Sequence, residues 1–135
     1  MEKHVSMNGN RILIVGFGGI GPAVLPLILR HIDIKPEQIN VVAASDMNRD
    51  LAEREGIKFE HFTLNENNYK DYLSERLQKG DVLLNLSVDV SSLDLIRLCN
   101  KLGVVYVDTS IERWLSEKNI PAMLYERRET VMKEE

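Results

Sequence analysis

The apolar run Ile12-Leu13-Ile14-Val15 breaks at once into Gly16-Phe17-Gly18-Gly19-Ile20-Gly21, in which Gly16, Gly18 and Gly21 stand in G-x-G-x-x-G spacing. A strand that ends in such a turn and passes into a helix commits the chain to a crossover, and each glycine has its own task. Gly16 permits a sharp turn off the strand, Gly18 lets the main chain approach a diphosphate without a Cβ in the way, and Gly21 allows close packing of the helix. The backbone of Phe17, Gly19 and Ile20 completes the loop. Its unpaired N–H groups and the dipole of the helix form an anion site near Gly19.

Glycine-rich turns serve many ordinary loops, so the spacing carries weight only where strand, turn, helix and second strand follow in order. They do here. From Ile20, residues Val24, Leu25, Leu27, Ile28 and Leu29 supply a wide apolar helix face, with Arg30 and His31 in the last turn. Pro22 suits a first turn, whereas Pro26 removes a donor and predicts an irregular, bent helix. After a turn segment at 33–38, residues 39–45 read as a second buried strand with Asp46 at its carboxyl end. A carboxylate there accepts hydrogen bonds from both adenosine ribose hydroxyls and repels a 2′-phosphate, which favours NAD over NADP. Arg49, close by, is a group that could accept a 2′-phosphate. Asp46 also fits a simpler part, opening a turn or capping the next helix, with Asn48 as the competing cap.

A chain of 135 residues is expected to form one domain with one core, burying about two-thirds of its unfolded surface without a disulfide or metal staple. A net charge of −4 and the lack of a Lys/Arg cluster argue against nucleic acid as a partner. No run of about 18 apolar residues offers a membrane span, and residues 1–10 lack the apolar core of a signal peptide, so a cytoplasmic location is expected. The single cysteine, Cys99, sits in a helical pattern and is assigned to the interior without chemistry. His4, His31 and His61 stand singly, with no metal-ligand spacing.

The alternation of elements continues to residue 107. Residues 51–55 read as a short helix, 57–63 as a strand, 67–78 as a polar amphipathic helix, 81–87 as a strand, 91–102 as a helix closed by Gly103, and 104–107 as a strand. Strands alternating with helices require crossovers, and right-handed crossovers produce a parallel sheet covered on both faces. The expected fold is α/β, a doubly wound parallel sheet of the Rossmann type in a single domain. We divide the chain into a flexible N-terminal segment (1–10), an NAD-binding domain (11–115), and a charged C-terminal helix or tail (116–135) that begins a second domain.

Ligands of such sheets lie beyond the carboxyl ends of the strands, which draws attention to the residues after the fourth and fifth strands. Asn85, Ser87, Asp89, Ser91 and Ser92 follow one; Asp108, Thr109, Ser110, Glu112 and Trp114 follow the other. Asn85, Ser87, Asp108 and Thr109 are candidate cofactor contacts. Asp89 and Ser91 are equally placed to cap a helix. Glu112 and Trp114 fit an exposed turn with an aromatic anchor, or else Asp89 and Glu112 form an acidic wall for a cationic substrate, with an aromatic face beside it.

The segments Ile12 to Gly21 with Leu25-Pro26-Leu27, Asn85-Leu86-Ser87-Val88-Asp89, and Asp108-Thr109-Ser110-Ile111-Glu112-Arg113-Trp114 resemble the N-terminal half of the bacterial homospermidine synthases, relatives of the saccharopine dehydrogenases. The resemblance runs from about Arg11 to the end of the chain. It implies NAD used as a recycled group: one putrescine is oxidised to an imine, ammonia leaves, a second putrescine condenses, and the hydride returns to give homospermidine. It also implies catalytic parts for Asp89 and Glu112 facing the diamine. A substrate with two ammonium groups needs acidic partners, and one amine must lose a proton before hydride can leave its carbon. The family usually has proline where this chain has Arg113, and its members are several times longer, with a second domain closing over the substrate.

Two other classes stay open on the residues alone. One is a non-catalytic NAD-sensing or regulatory module. The other is a different NAD(P)-dependent oxidoreductase, although no tyrosine is followed four residues later by lysine, as a short-chain dehydrogenase requires. Exposed sheet edges favour a homodimer.

Overall fold

A computed structural model describes residues 5–109 together with Trp114. In chain order the elements are β1 (Val5–Ser6), β2 (Ile12–Val15), α1 (Gly21–His31), β3 (Ile32–Asp33), a 3-10 turn (Pro36–Gln38), β4 (Ile39–Ala43), α2 (Arg49–Arg54), β5 (Lys58–His61), α3 (Tyr69–Arg76), β6 (Val82–Asn85), α4 (Ser92–Leu102) and β7 (Val105–Asp108). Five strands form one all-parallel sheet in the order β5-β4-β2-β6-β7. The strand order reverses beside β2, whose two neighbours are β4 and β6. That reversal opens a crevice at the carboxyl ends, where ligands of this architecture sit.

Burial explains why these residues are strands. All four residues of β2 are buried, because a central strand of a parallel sheet has helices on both faces. One face packs Ile12, Ile14 and Val41 against Leu25 and Ile28 of α1 and Ala52 of α2. The other packs Leu13, Val15 and Leu83 against Leu73 of α3 and Leu95, Leu98 and Cys99 of α4. The doubly wound sheet expected from the alternation is therefore the sheet observed. Truncating a fully buried member such as Leu83 to alanine is expected to cost about 2–5 kcal/mol.

Three local expectations change. The stretch 1–10, expected as a flexible lead-in, contributes β1, which pairs in parallel with β3, and a buried side chain at Met7. The first helix runs unbroken through Pro26, which sits on its exposed side where the missing donor disturbs no buried contact. β4 stops at Ala43, so Asp46 lies in the turn beyond the strand. Two caps follow the expected chemistry: the Ser91 side chain accepts from the N–H of Asp94 at the start of α4, and Gly103 closes that helix in the left-handed conformation. The segment 116–135 lies outside the described residues.

Candidate functional site

The glycine loop joins β2 to α1 at the strand-order reversal. Gly16 has φ +89°, and a Cβ placed there would lie 2.9 Å from the backbone nitrogen of Ser87, so both the turn and the close approach of the β6 loop demand glycine. Around Gly18 and Gly19 the situation is the opposite. A Cβ at either would meet nothing within 4 Å, so this part of the loop borders open space. A Cβ placed at Gly21 would lie 2.5 Å from the ring of Phe17, so the glycine makes room for that ring. Phe17 itself turns into the core and meets Phe59 edge-on at 6.4 Å, so only its main chain faces the loop. Ile20 is half-exposed and caps α1 without a side-chain hydrogen bond, which leaves the first-turn N–H groups of that helix without a side-chain acceptor.

Beyond β4, the Asp46 carboxylate projects into solvent with Arg49 at 3.1 Å and the Nδ1 of His61 at 3.4 Å. Nε2 of His61 contacts the carbonyl of Ala44 at 2.9 Å. Arg49 also reaches Glu53 and lies over the ring of Phe59. The Asp46 carboxylate, the candidate ribose acceptor, is thus flanked by Arg49 and His61. Asn48 occupies the N-cap position of α2, but its side chain makes no capping hydrogen bond. Its backbone is left-handed at φ 64°, and its side-chain Nδ2 donates to the carbonyls of Gly18 at 3.0 Å and Phe17 at 3.3 Å. Nothing in the sequence pattern pointed to that contact.

At the other end of the crevice, Asn85 and Asp108 stand side by side in register at the ends of β6 and β7. Asn85 is fully buried, so its side chain lies under the crevice surface. Its Oδ1 accepts from the N–H of Ser87 at 3.0 Å, and its Nδ2 donates to the Tyr106 hydroxyl at 3.1 Å. Oδ2 of Asp108 accepts from both Tyr106 and Ser92, each at 2.5 Å. Burial first, and the adjacent Asp108 second, push the Tyr106 phenol far above its usual range, so it stays a donor. Tyr106 and Ser92 were missed as members of this network. The available signal was the spacing Tyr106-x-Asp108, which puts both side chains on one face of a strand. Thr109 follows, exposed.

A cavity of about 420 Å³ opens between these two ends, lined by Gly16, Ala44, Phe62, Thr63, Ser87, Asp89 and Trp114, among others. Asp89 is exposed, and its N–H donates to the Ser87 hydroxyl at 3.3 Å. Trp114 borders the same cavity but is only 3% exposed: its Nε1 donates to Asp94 at 2.7 Å and its ring packs on Tyr69. The aromatic face expected to greet a cation is therefore mostly committed to the core. Glu112 lies outside the described residues. A larger depression of about 670 Å³ lies at the amino ends of the strands, near Arg11, Lys58 and Asp81, the wrong end for a ligand of a parallel sheet. Cys99 is wholly buried, and burial pushes its thiol up to about 12, in keeping with an inert interior side chain. Among the described residues no group of three or more His, Cys, Asp or Glu could hold a metal ion, and no helix is long and apolar enough to cross a membrane.

Comparison with known proteins matches residues 12–135 to the family described as the saccharopine dehydrogenase NADP binding domain. The homospermidine synthase of Mesorhizobium japonicum is 40% identical over 132 residues, an overlap of 91% of this chain and 27% of that protein. That of Blastochloris viridis is 40% identical over 107 residues, 77% of this chain and 22% of its own length. Among solved structures, the homospermidine synthase of Legionella pneumophila in complex with NAD superposes with a TM-score of 0.86 at 34% identity, covering 97% of this chain and 27% of that one. The chain spans about a quarter of the length of these relatives.

Proposed function

This chain belongs to the saccharopine dehydrogenase NADP binding domain family, and from that membership we propose that it binds NAD across the carboxyl ends of its sheet as the cofactor-binding part of a homospermidine-forming enzyme. The observation that carries the reading is the glycine loop. Gly18 and Gly19 border open space, and their N–H groups have no acceptor among the described residues, which suits a diphosphate better than any side chain of this chain would. NAD, when bound, would supply the acceptor and later the donor of a hydride.

The chain's own residues divide the remaining work. Asp46 would accept from the adenosine ribose hydroxyls, which favours NAD over NADP even with Arg49 adjacent. The buried Asn85 would act through Ser87, whose N–H it fixes at the mouth of the crevice, and Asp108 and Thr109 would border the nicotinamide end. Asp89, at the rim of the 420 Å³ cavity, and Glu112 would face a diamine such as putrescine. Carboxylates in that position hold one ammonium group in place and accept a proton from the other, freeing the lone pair that hydride departure requires.

Calorimetric titration of the 135-residue chain tests the site. Gly18→Val thrusts a branched side chain into the diphosphate path and is expected to weaken NAD about tenfold or more, and Asp46→Ala about fivefold through loss of the ribose acceptor. Unchanged NAD affinity in both variants would refute the assignment.

A further inference from the structure

We infer that Asn48 is a positioning residue that aims the main-chain donors of the glycine loop at the cofactor diphosphate; the inference rests on the NAD reading above. The Asn48 side chain makes no capping hydrogen bond to α2, although its backbone carbonyl receives the N–H groups of Leu51 and Ala52. Instead it crosses from the β4–α2 turn to the β2–α1 loop, 30 residues away in sequence. There one nitrogen with two hydrogens meets two carbonyl oxygens, those of Phe17 and Gly18.

The consequence follows from peptide geometry. In a trans peptide the C=O and the N–H of the same unit point in opposite directions. The Phe17 carbonyl shares its unit with the Gly18 N–H, and the Gly18 carbonyl shares its unit with the Gly19 N–H. Drawing both carbonyls toward Asn48 therefore turns both N–H groups away from it, toward the open space where no Cβ or acceptor stands among the described residues. Without that contact the loop, rich in glycine, would sample many orientations of these two units and would bear the cost of ordering them on binding.

Asparagine is the residue type that meets both demands of the position. It tolerates the left-handed backbone at φ 64° better than other side chains, and it carries the two donors. Asn48 also stands two residues from Asp46 in one turn, closed by the hydrogen bond from the Arg49 N–H to the Asp46 carbonyl. The ribose acid and the anchor of the diphosphate loop are thereby placed by the same few residues.

The test is titration of the intact chain with NAD, ADP and adenosine. Asn48→Gly keeps the left-handed backbone and removes the amide; Asn48→Asp keeps the shape and presents an acceptor to two carbonyls. NAD and ADP are expected to weaken about fivefold in Asn48→Gly and about tenfold or more in Asn48→Asp, while adenosine stays within about twofold. Unchanged NAD and ADP affinity in Asn48→Gly overturns the inference, as does a parallel loss of adenosine, which would mark general disorder of the turn. Wild-type protein that takes up no NAD overturns the cofactor reading and this inference with it, whereas wild-type binding with indifferent variants overturns the inference alone.

Discussion

The two ends of the crevice are built on opposite principles. Over β4 and β5, the polar groups are exposed: the side chains of Asp46, Arg49 and His61 retain 56%, 42% and 48% of their accessibility. Over β6 and β7, Asn85 and Ser92 have none: Ser92 and Tyr106 both donate to one Asp108 oxygen, and Asn85 joins them by donating to the Tyr106 hydroxyl. Exposed ion pairs are screened by water and salt and contribute little to stability, while a buried polar network is costly to disturb because each orphaned group loses its partner in a poorly solvating interior. One end of the site is an adjustable rim, the other a fixed floor. Side chains at the first end can therefore change without endangering the fold, whereas those at the second are held in place by one another.

The strongest attempt to break this contrast is Asn85→Leu. The Ser87 N–H loses its acceptor and the Tyr106 hydroxyl its donor, both beside the core, for an expected loss of about 2–3 kcal/mol in urea denaturation. Asp46→Ala measured alongside is expected to shift stability by less than about 0.5 kcal/mol. Equal costs at the two ends would remove the distinction between rim and floor.

A second measurement sharpens it through pH. The phenol of Tyr106 is raised above its ordinary value of 10.0 by burial and then by Asp108, and the Cys99 thiol is raised from 9.0 to about 12 by burial. Both groups are neutral when protonated, so the folded state binds protons that the unfolded chain has already released. Their contribution is intact below about pH 9 and is lost as pH rises, first through Cys99 and past 10 through Tyr106. Melting temperature is expected to hold between pH 7 and 9 and to fall above, with Tyr106→Phe flattening the later part of the fall. An unaltered alkaline slope in that variant would remove Tyr106 from the floor.

How far the sequence announced this arrangement depended on the range of the interaction. The sheet was legible because buried parallel strands read as continuous apolar runs, as at 12–15 and 39–43, and because glycines mark turns that only they can make. The Ser91 cap of α4 is local and was equally readable. Asn48 stands at the cap position that the sequence offered, but its side-chain contact reaches 30 residues back to Gly18, and no periodicity records a side chain that leaves its own element. Tyr106 looked like one more strand residue until the register placed Asp108 beside Asn85. Of the two readings of Trp114, an aromatic anchor or a face for a cation, the structure favours the anchor: the residue borders the cavity but is mostly interior, because an indole gains more by packing on Tyr69 and bonding Asp94 than by facing water.

The smallest effect belongs to Arg49→Ala, and it separates stability from specificity. Arg49 pairs with Asp46 and Glu53, three and four residues away, both largely exposed, so its removal is expected to change stability by less than about 0.5 kcal/mol, with the difference shrinking in high salt. Its effect on ligands should have a sign. Loss of the guanidinium leaves Asp46 with less positive charge beside it, which makes a 2′-phosphate less welcome while the ribose hydroxyls keep their acceptor. Titration with both cofactors is expected to show NADP weakened about threefold or more relative to NAD. A ratio that stays put would mean that Arg49 is committed to Glu53 and the Phe59 ring, and that the rim owes its preference to Asp46 without help from its neighbour.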